Sequence, residues 1–146
     1  MKIRAQQNME LAARLVQAVA TKYPDEKAQA RKIFGGLCHS FPIMVRTCGL
    51  CQALAFSFDK ATVTDKKRPT PRNEAYGLLL NHVSELLLGP DRQDRVALLD
   101  RVRGGDVAQY MFDTRRVLAA WVYWKRFAVS ILKVESARDA EDGENE

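Results

Sequence analysis

The chain has 146 residues, 47% of them hydrophobic and 28% charged, with a net charge of +5 at pH 7. Those figures exclude a disordered chain, suit one domain with one core, and leave no apolar run of the roughly 18 residues a membrane span needs. The charge is unevenly spread: residues 134–146 hold six acids and one base, which leaves residues 1–133 with 22 bases against 12 acids. A basic body followed by an acidic tail suits a polyanionic partner, although an ordinary solvated surface can have the same composition.

From Lys2 to Lys22, Ile3, Leu11, Ala12, Leu15, Ala18 and Val19 share one face at helical spacing. Gln, Asn and Glu interrupt the bases every few positions, the pattern of an amphipathic helix and not of a signal peptide. The expectation is a cytoplasmic chain whose thiols stay reduced. Pro24, with Asp25 and Glu26 behind it, is placed to open a second helix that runs to about Leu37. Gly35-Gly36 should weaken that helix, and Pro42 should kink or break it. After Gly49 a third helix is predicted from Leu50 to Lys60. The stretch Ala61–Asn73 has no apolar periodicity, two prolines and the bases Lys66, Lys67, Arg68 and Arg72, so it reads as an exposed, mobile loop. Asn73 can cap a fourth helix carrying Tyr76, Leu79, Leu80, Val83, Leu86 and Leu87, which Gly89-Pro90 ends. A short helix follows over "DRQDRVALLDRVR" and stops at Gly104-Gly105. Asp106 can cap the last and longest helix, with Tyr110, Thr114, Val117, Leu118, Trp121, Trp124, Ala128 and Ile131 on one broad stripe. Beyond Lys133 the composition turns small and acidic, the mark of a frayed tail. No window alternates at period two. The reading is all-α: a compact bundle of five to seven helices over residues 1–133, a basic loop, and an acidic tail over 134–146.

The chemistry-bearing residues are few. Cys48 and Cys51 have the spacing of a redox pair, and Gly49 ahead of a helix resembles the required helix N-terminus, but no βαβ context surrounds them. Zinc needs four ligands, and Cys38, His39, Cys48 and Cys51 form a poorly spaced set split by Pro42. Small buried thiols filling helix contacts are the simpler reading. His39 and His82 lack a nucleophile pattern, and a surface or partly buried helical histidine is the ordinary alternative. Glu74 and Glu85 are no spaced acid pair, and neither Gly-Gly step fits a phosphate loop. Little supports an enzyme. Trp121, Tyr123, Trp124 and Phe127 could stack on bases, but burial preference puts most of them in the core. Lys125 and Arg126, with Arg115-Arg116 ten residues earlier, could follow a nucleic-acid backbone without reading bases.

The run "FPIMVRTCGLCQALAF", then "NEAYGLLLNHVSELL" and "YMFDTRRVLAAWVYWKRFA", resembles the small subunit of the type III-B (Cmr) CRISPR effector complex. The carriers are Pro42, Arg46, Gly49, Leu50, Ala53, Leu54, Ala55 and Phe56, then Tyr76 and His82-Val83-Ser84, then Tyr110, Thr114, Lys125, Arg126, Phe127 and Ala128. The resemblance spans about residues 1–132. In that family the residue before Gly-Leu is commonly Asn and neither cysteine is required, so Gly49 reads as a tight joint between helices and the thiols as passengers. The resemblance implies a non-catalytic, all-helical subunit without cofactor. It would stack with further copies of itself beside the backbone subunits of the Cmr complex, its basic face along the crRNA and target RNA, while other subunits cleave. Arg46, Lys125 and Arg126 are the bases inside matched segments and are the expected RNA contacts, with Arg46 alternatively satisfying helix C-terminal carbonyls at the joint. A thiol-redox or metal-switch protein using Cys48 and Cys51, and a helical adaptor that binds only protein, are the alternatives.

Overall fold

A computed structural model describes residues 1–64 and 68–137 and contains six helices: α1 Arg4–Lys22, α2 Gln29–Cys48, α3 Leu50–Ala61, α4 Pro71–Leu88, α5 Arg95–Gly104 and α6 Val107–Ser130. No strand occurs among the described residues. Lys66 and Lys67 of the expected basic loop, and the tail from residue 138 onward, lie outside them.

Helices α2 and α4 occupy the centre. α2 packs against α3, α4 and α6; α4 also meets α1 and α5, and α1 lies along α6. Their shared interior is a single apolar cluster in which Phe34, Phe41, Leu54, Leu79, Leu80, Trp121 and Trp124 are fully buried. Trp121 and Trp124 stack with centroids 4.6 Å apart and planes 4° from parallel, and Phe41 lies 5.1 Å from Trp121. Neither indole is available to a base.

The second helix departs from expectation at both ends. It starts at Gln29, because Asp25 closes a turn by accepting the Lys27 and Ala28 amides. It then runs unbroken through Gly35, Gly36 and Pro42 to Cys48. Proline removes one backbone hydrogen bond, but Phe34, Leu37, Cys38, Phe41 and Val45 are all buried on this helix, and that burial outweighs the loss. Gly35 serves a packing need: a Cβ there would lie 2.5 Å from Val134 Cγ2, so only glycine lets the chain beyond α6 reach α2.

The other corrections are local. Thr70, not Asn73, caps α4; its hydroxyl accepts the Asn73 amide while Asn73 Oδ1 accepts the Thr70 amide, with Pro71 in the first turn. Asn73 Nδ2 also donates to the Lys60 carbonyl at 2.8 Å, fastening the two ends of the 61–73 stretch together. α5 begins four residues later than its sequence pattern, where Asp94 accepts the Ala97 amide. Asp106 caps α6 as expected, through the Gln109 amide.

Candidate nucleic-acid interface

The joint between α2 and α3 is one residue long. Gly49 has φ +87°, closes α2 through its amide on the Val45 carbonyl, and opens α3 through its own carbonyl on the Ala53 amide. A side chain is excluded by that φ and by Tyr110, whose hydroxyl would lie 3.2 Å from a Cβ. The same hydroxyl accepts the Cys51 amide at 3.1 Å, satisfying an orphan donor in the first turn of α3. Gly49 and Tyr110, 61 positions apart, therefore serve one contact. Cys48 and Cys51 are both exposed and free, against the expectation of buried thiols; the joint uses the backbone at these positions. Cys38 is the buried thiol, and burial pushes its pKa upward. No cluster of metal-ligating side chains occurs among the described residues.

His82 is more buried than expected. Trp124 Nε1 donates to its Nδ1 at 3.0 Å, and Phe34 meets the ring edge-on at 4.9 Å. Burial lowers its pKa to about 3, partly opposed by the charge of Glu85, so the ring is neutral and acts as a structural acceptor. Ser84 Oγ donates to the Arg92 carbonyl and accepts the Asp94 amide, and Glu85 accepts from Arg14, Gln93 and the Asp91 amide. Burial disfavours the Glu85 charge, but the bonds from Gln93, Asp91 and Arg14 outweigh it and hold the pKa below the ordinary value. Ser84 and Glu85 thus organise the corner between α4 and α5, while His82 ties α4 to α6 and α2. These contacts are structural.

The chain leaves α6 in a pinned conformation. Buried Arg31 donates to the carbonyls of Ile131 and Leu132 and to that of Tyr23, gripping the C-terminal ends of α6 and α1 at once. A capping role of the kind weighed for Arg46 at the end of α2 is met at the end of α6 by Arg31, which its position in a plain "QARK" run does not distinguish. Lys133, at φ +63°, then turns the chain, the Val134 amide bonds the Ala128 carbonyl, and His39 Nε2 donates to the Val134 carbonyl at 2.8 Å. Val134 is 2% exposed, so the body continues one residue past the expected change at Lys133.

That pinned exit borders an open groove of about 790 Å³ between the C-terminal halves of α2 and α6. Arg46, Lys125 and Arg126 all line it, although they come from two helices and the latter two emerge about 100° apart. Both are exposed on the outer side of α6, as are Val122, Val129 and Ser130 beside them. None of the three makes a side-chain hydrogen bond or ion pair with a described residue. Exposed Ile43, Val122 and Val129 and the acid Glu135 also line it. Trp121 also lines the groove, and its buried Nε1 has no hydrogen-bond partner among the described residues. The arrangement can hold an anion through the three bases.

A second basic cluster was only half visible in the sequence. Arg116 is packed near Arg4 and Arg101; burial and then those two charges lower its pKa, with Asp113 opposing. Asp113 is fully buried and accepts two bonds from Arg101, at 2.9 and 3.1 Å, and one from Gln109. Arg4 lies over the exposed Phe112 ring at 5.2 Å. Three arginines from three helices meet here, a juxtaposition no local motif announces.

Residues 4–131 match the family described as CRISPR-associated protein (Cas_Cmr5). Over 107 residues the chain is 30% identical to the CRISPR system Cmr subunit Cmr5 of Thermus thermophilus, a span of 73% of this chain and 82% of that protein. The crystal structure of a CRISPR-associated Cmr5 family protein, also from Thermus thermophilus, is similar with a TM-score of 0.68 and 29% identity, over 89% of this chain and 98% of that one.

Proposed function

The chain belongs to the Cmr5 family of CRISPR-associated proteins, and on that premise we propose that it is the small, non-catalytic subunit of a type III-B Cmr effector complex in antiviral defence. Its partners are the other Cmr subunits, further copies of itself, and the paired crRNA and target RNA, in the cytoplasm. The groove between α2 and α6 meets the sugar-phosphate backbone, and cleavage is left to other subunits. The observation that carries this reading is the convergence of Arg46, Lys125 and Arg126, each free of a described protein partner, on one groove. Backbone contacts of this kind are sequence-independent and salt-sensitive. One copy supplies few of them, so affinity becomes appreciable only when several copies line up.

The test is Arg46→Ala, Lys125→Ala and Arg126→Ala, singly and together, in a reconstituted complex titrated with labelled target RNA over a salt series. Each lost phosphate contact should lower the salt slope by about one unit. If the triple variant assembles and binds target RNA as the parent does, the RNA path lies elsewhere on this protein.

A further inference from the structure

We propose that the cleft between α1, the end of α4 and Arg116 of α6 binds a small phosphomonoester, of the size and chemistry of a nucleoside monophosphate. The cleft shares no lining residue with the groove between α2 and α6, and the proposal does not rest on the RNA reading of that groove.

The cleft has a volume of about 550 Å³, within the range of sites that take small ligands. The charges around it pair off and leave a remainder. Glu10 takes Lys2, Glu85 takes Arg14, which also reaches Asp91, and Asp113 takes Arg101. Arg116 lines the cleft, and Arg4 is near enough for its charge to disfavour that of Arg116. Neither makes a hydrogen bond or ion pair with a described residue; Arg4 only covers the Phe112 ring. Two unmatched guanidiniums suit a phosphomonoester, which carries roughly −1.5 to −2 near pH 7, better than a phosphodiester with its single charge. A bound dianion also relieves the repulsion between the two arginines.

Asn8 is the second observation. It lies one helical turn after Arg4, lines the cleft and is 4% exposed, and its amide has no hydrogen-bond partner among the described residues. Arg116 Nε is sealed off from solvent, but the Asn8 amide is not, so a phosphate oxygen can meet that amide and the outer nitrogens of Arg116. The opposite side has other chemistry. The last turn of α4 lines it with no basic residue of its own, and helix-end carbonyls call for hydrogen-bond donors. Leu11, Leu88 and Pro90 add apolar surface. A ligand with a phosphate at one end and an apolar body bearing N–H or O–H donors at the other satisfies both sides.

The experiment titrates the ¹⁵N-labelled full chain with AMP, inorganic phosphate, adenosine and a 5′-hydroxyl U20 RNA. AMP should shift the amides of Gln7, Asn8, Leu11, Gly89 and Arg116 saturably, with a Kd of about 0.1–1 mM. Inorganic phosphate and adenosine should each bind at least ~10-fold more weakly, because each fills one end of the cleft. Arg4→Gln and Arg116→Gln should each weaken AMP ~5–10-fold, while Lys27→Gln, exposed beyond the far end of α1, should not. Circular dichroism melts check that the variants fold; should Arg116→Gln fail to, Arg4→Gln, with its exposed side chain, decides alone. No saturable shift at about 10 mM AMP overturns the proposal. So does AMP binding that survives the arginine variants. Inorganic phosphate binding as tightly as AMP would mark an adventitious ion only and overturn it too. U20 displacing AMP from these amides at lower concentration would make the cleft a phosphodiester path, and the proposal falls.

Discussion

Gly35 is the position where one added methyl group should test the whole exit architecture. Gly35→Ala in a helix interior should by itself stabilise by about 0.8–1 kcal/mol. Here the new Cβ would lie 2.5, 2.6 and 2.9 Å from Cγ2, Cβ and Cγ1 of Val134, on a side chain with no free end to swing away. Either α2 shifts or Val134 leaves its site. Overpacking of this kind costs about 1–3 kcal/mol, and expelling a buried valine costs about 1.5–3 kcal/mol, so the clash exceeds the propensity gain. Gly35→Ala should therefore be net destabilising by ~1–2 kcal/mol. Val134→Ala would be a poor rescue, because Val134 Cβ alone already lies 2.6 Å away. Val134→Gly removes every clashing atom. In that background Gly35→Ala should change sign and stabilise by up to about 1 kcal/mol. Urea unfolding followed by circular dichroism gives both legs of the cycle. A neutral or stabilising Gly35→Ala in the parent would refute the reasoning, and so would the same sign in both backgrounds.

Two further perturbations probe the interior. His82 has a folded pKa near 3 against an ordinary 6.5, so the folded state resists its protonation. That stability is fully present above the unfolded pKa and is lost as pH falls through 6.5 towards 3. Linkage sets the loss between pH 7 and pH 5 at about 2 kcal/mol, and flat urea midpoints over that range would contradict a buried neutral imidazole. Tyr110→Phe should cost about 0.5–1.5 kcal/mol by stripping the Cys51 amide of its acceptor, with faster hydrogen exchange confined to the first turn of α3. Unchanged exchange at Cys51 would mean that water replaces the hydroxyl at no cost.

What could be read from the chain without its structure follows the range of each interaction. Apolar spacing located α1, α4 and α6, proline and glycine punctuation located the helices between them, and a local cap, Asp106, set the start of α6. The largest error came where distant partners overrode a local signal. Gly35-Gly36 and Pro42 look like breakers, but Val134 and the core residues of α2 settle that segment. Thr70 lies in a Pro-flanked stretch that reads as loop until its reciprocal bonds with Asn73 are seen. The site divides in the same way. Arg46, Lys125 and Arg126 were singled out one by one, yet their meeting in one groove depends on how α2 crosses α6. Arg31 gave no signal, because a helix C-terminus 100 residues away in sequence is what it holds.

These long-range contacts also explain why the groove has a defined edge. Arg31, Gly35 and His39 lie on one helix at spacings of four, and each holds the chain just beyond α6: Arg31 by the Ile131 and Leu132 carbonyls, Gly35 by admitting Val134, His39 by the Val134 carbonyl. Seven residues after His39, past Pro42 and Ile43, the same helix presents Arg46. A break at Pro42 would uncouple the two halves, leaving the pinned exit on one and the base on the other. The continuity of α2 therefore matters beyond packing, since it sets Arg46 at a fixed distance from Lys125 and Arg126 across the groove. On the function proposed for the groove, an anion held by all three bases would read the register of α2 on α6, and Gly35→Ala, which touches none of them, should weaken binding there through a shift of that register.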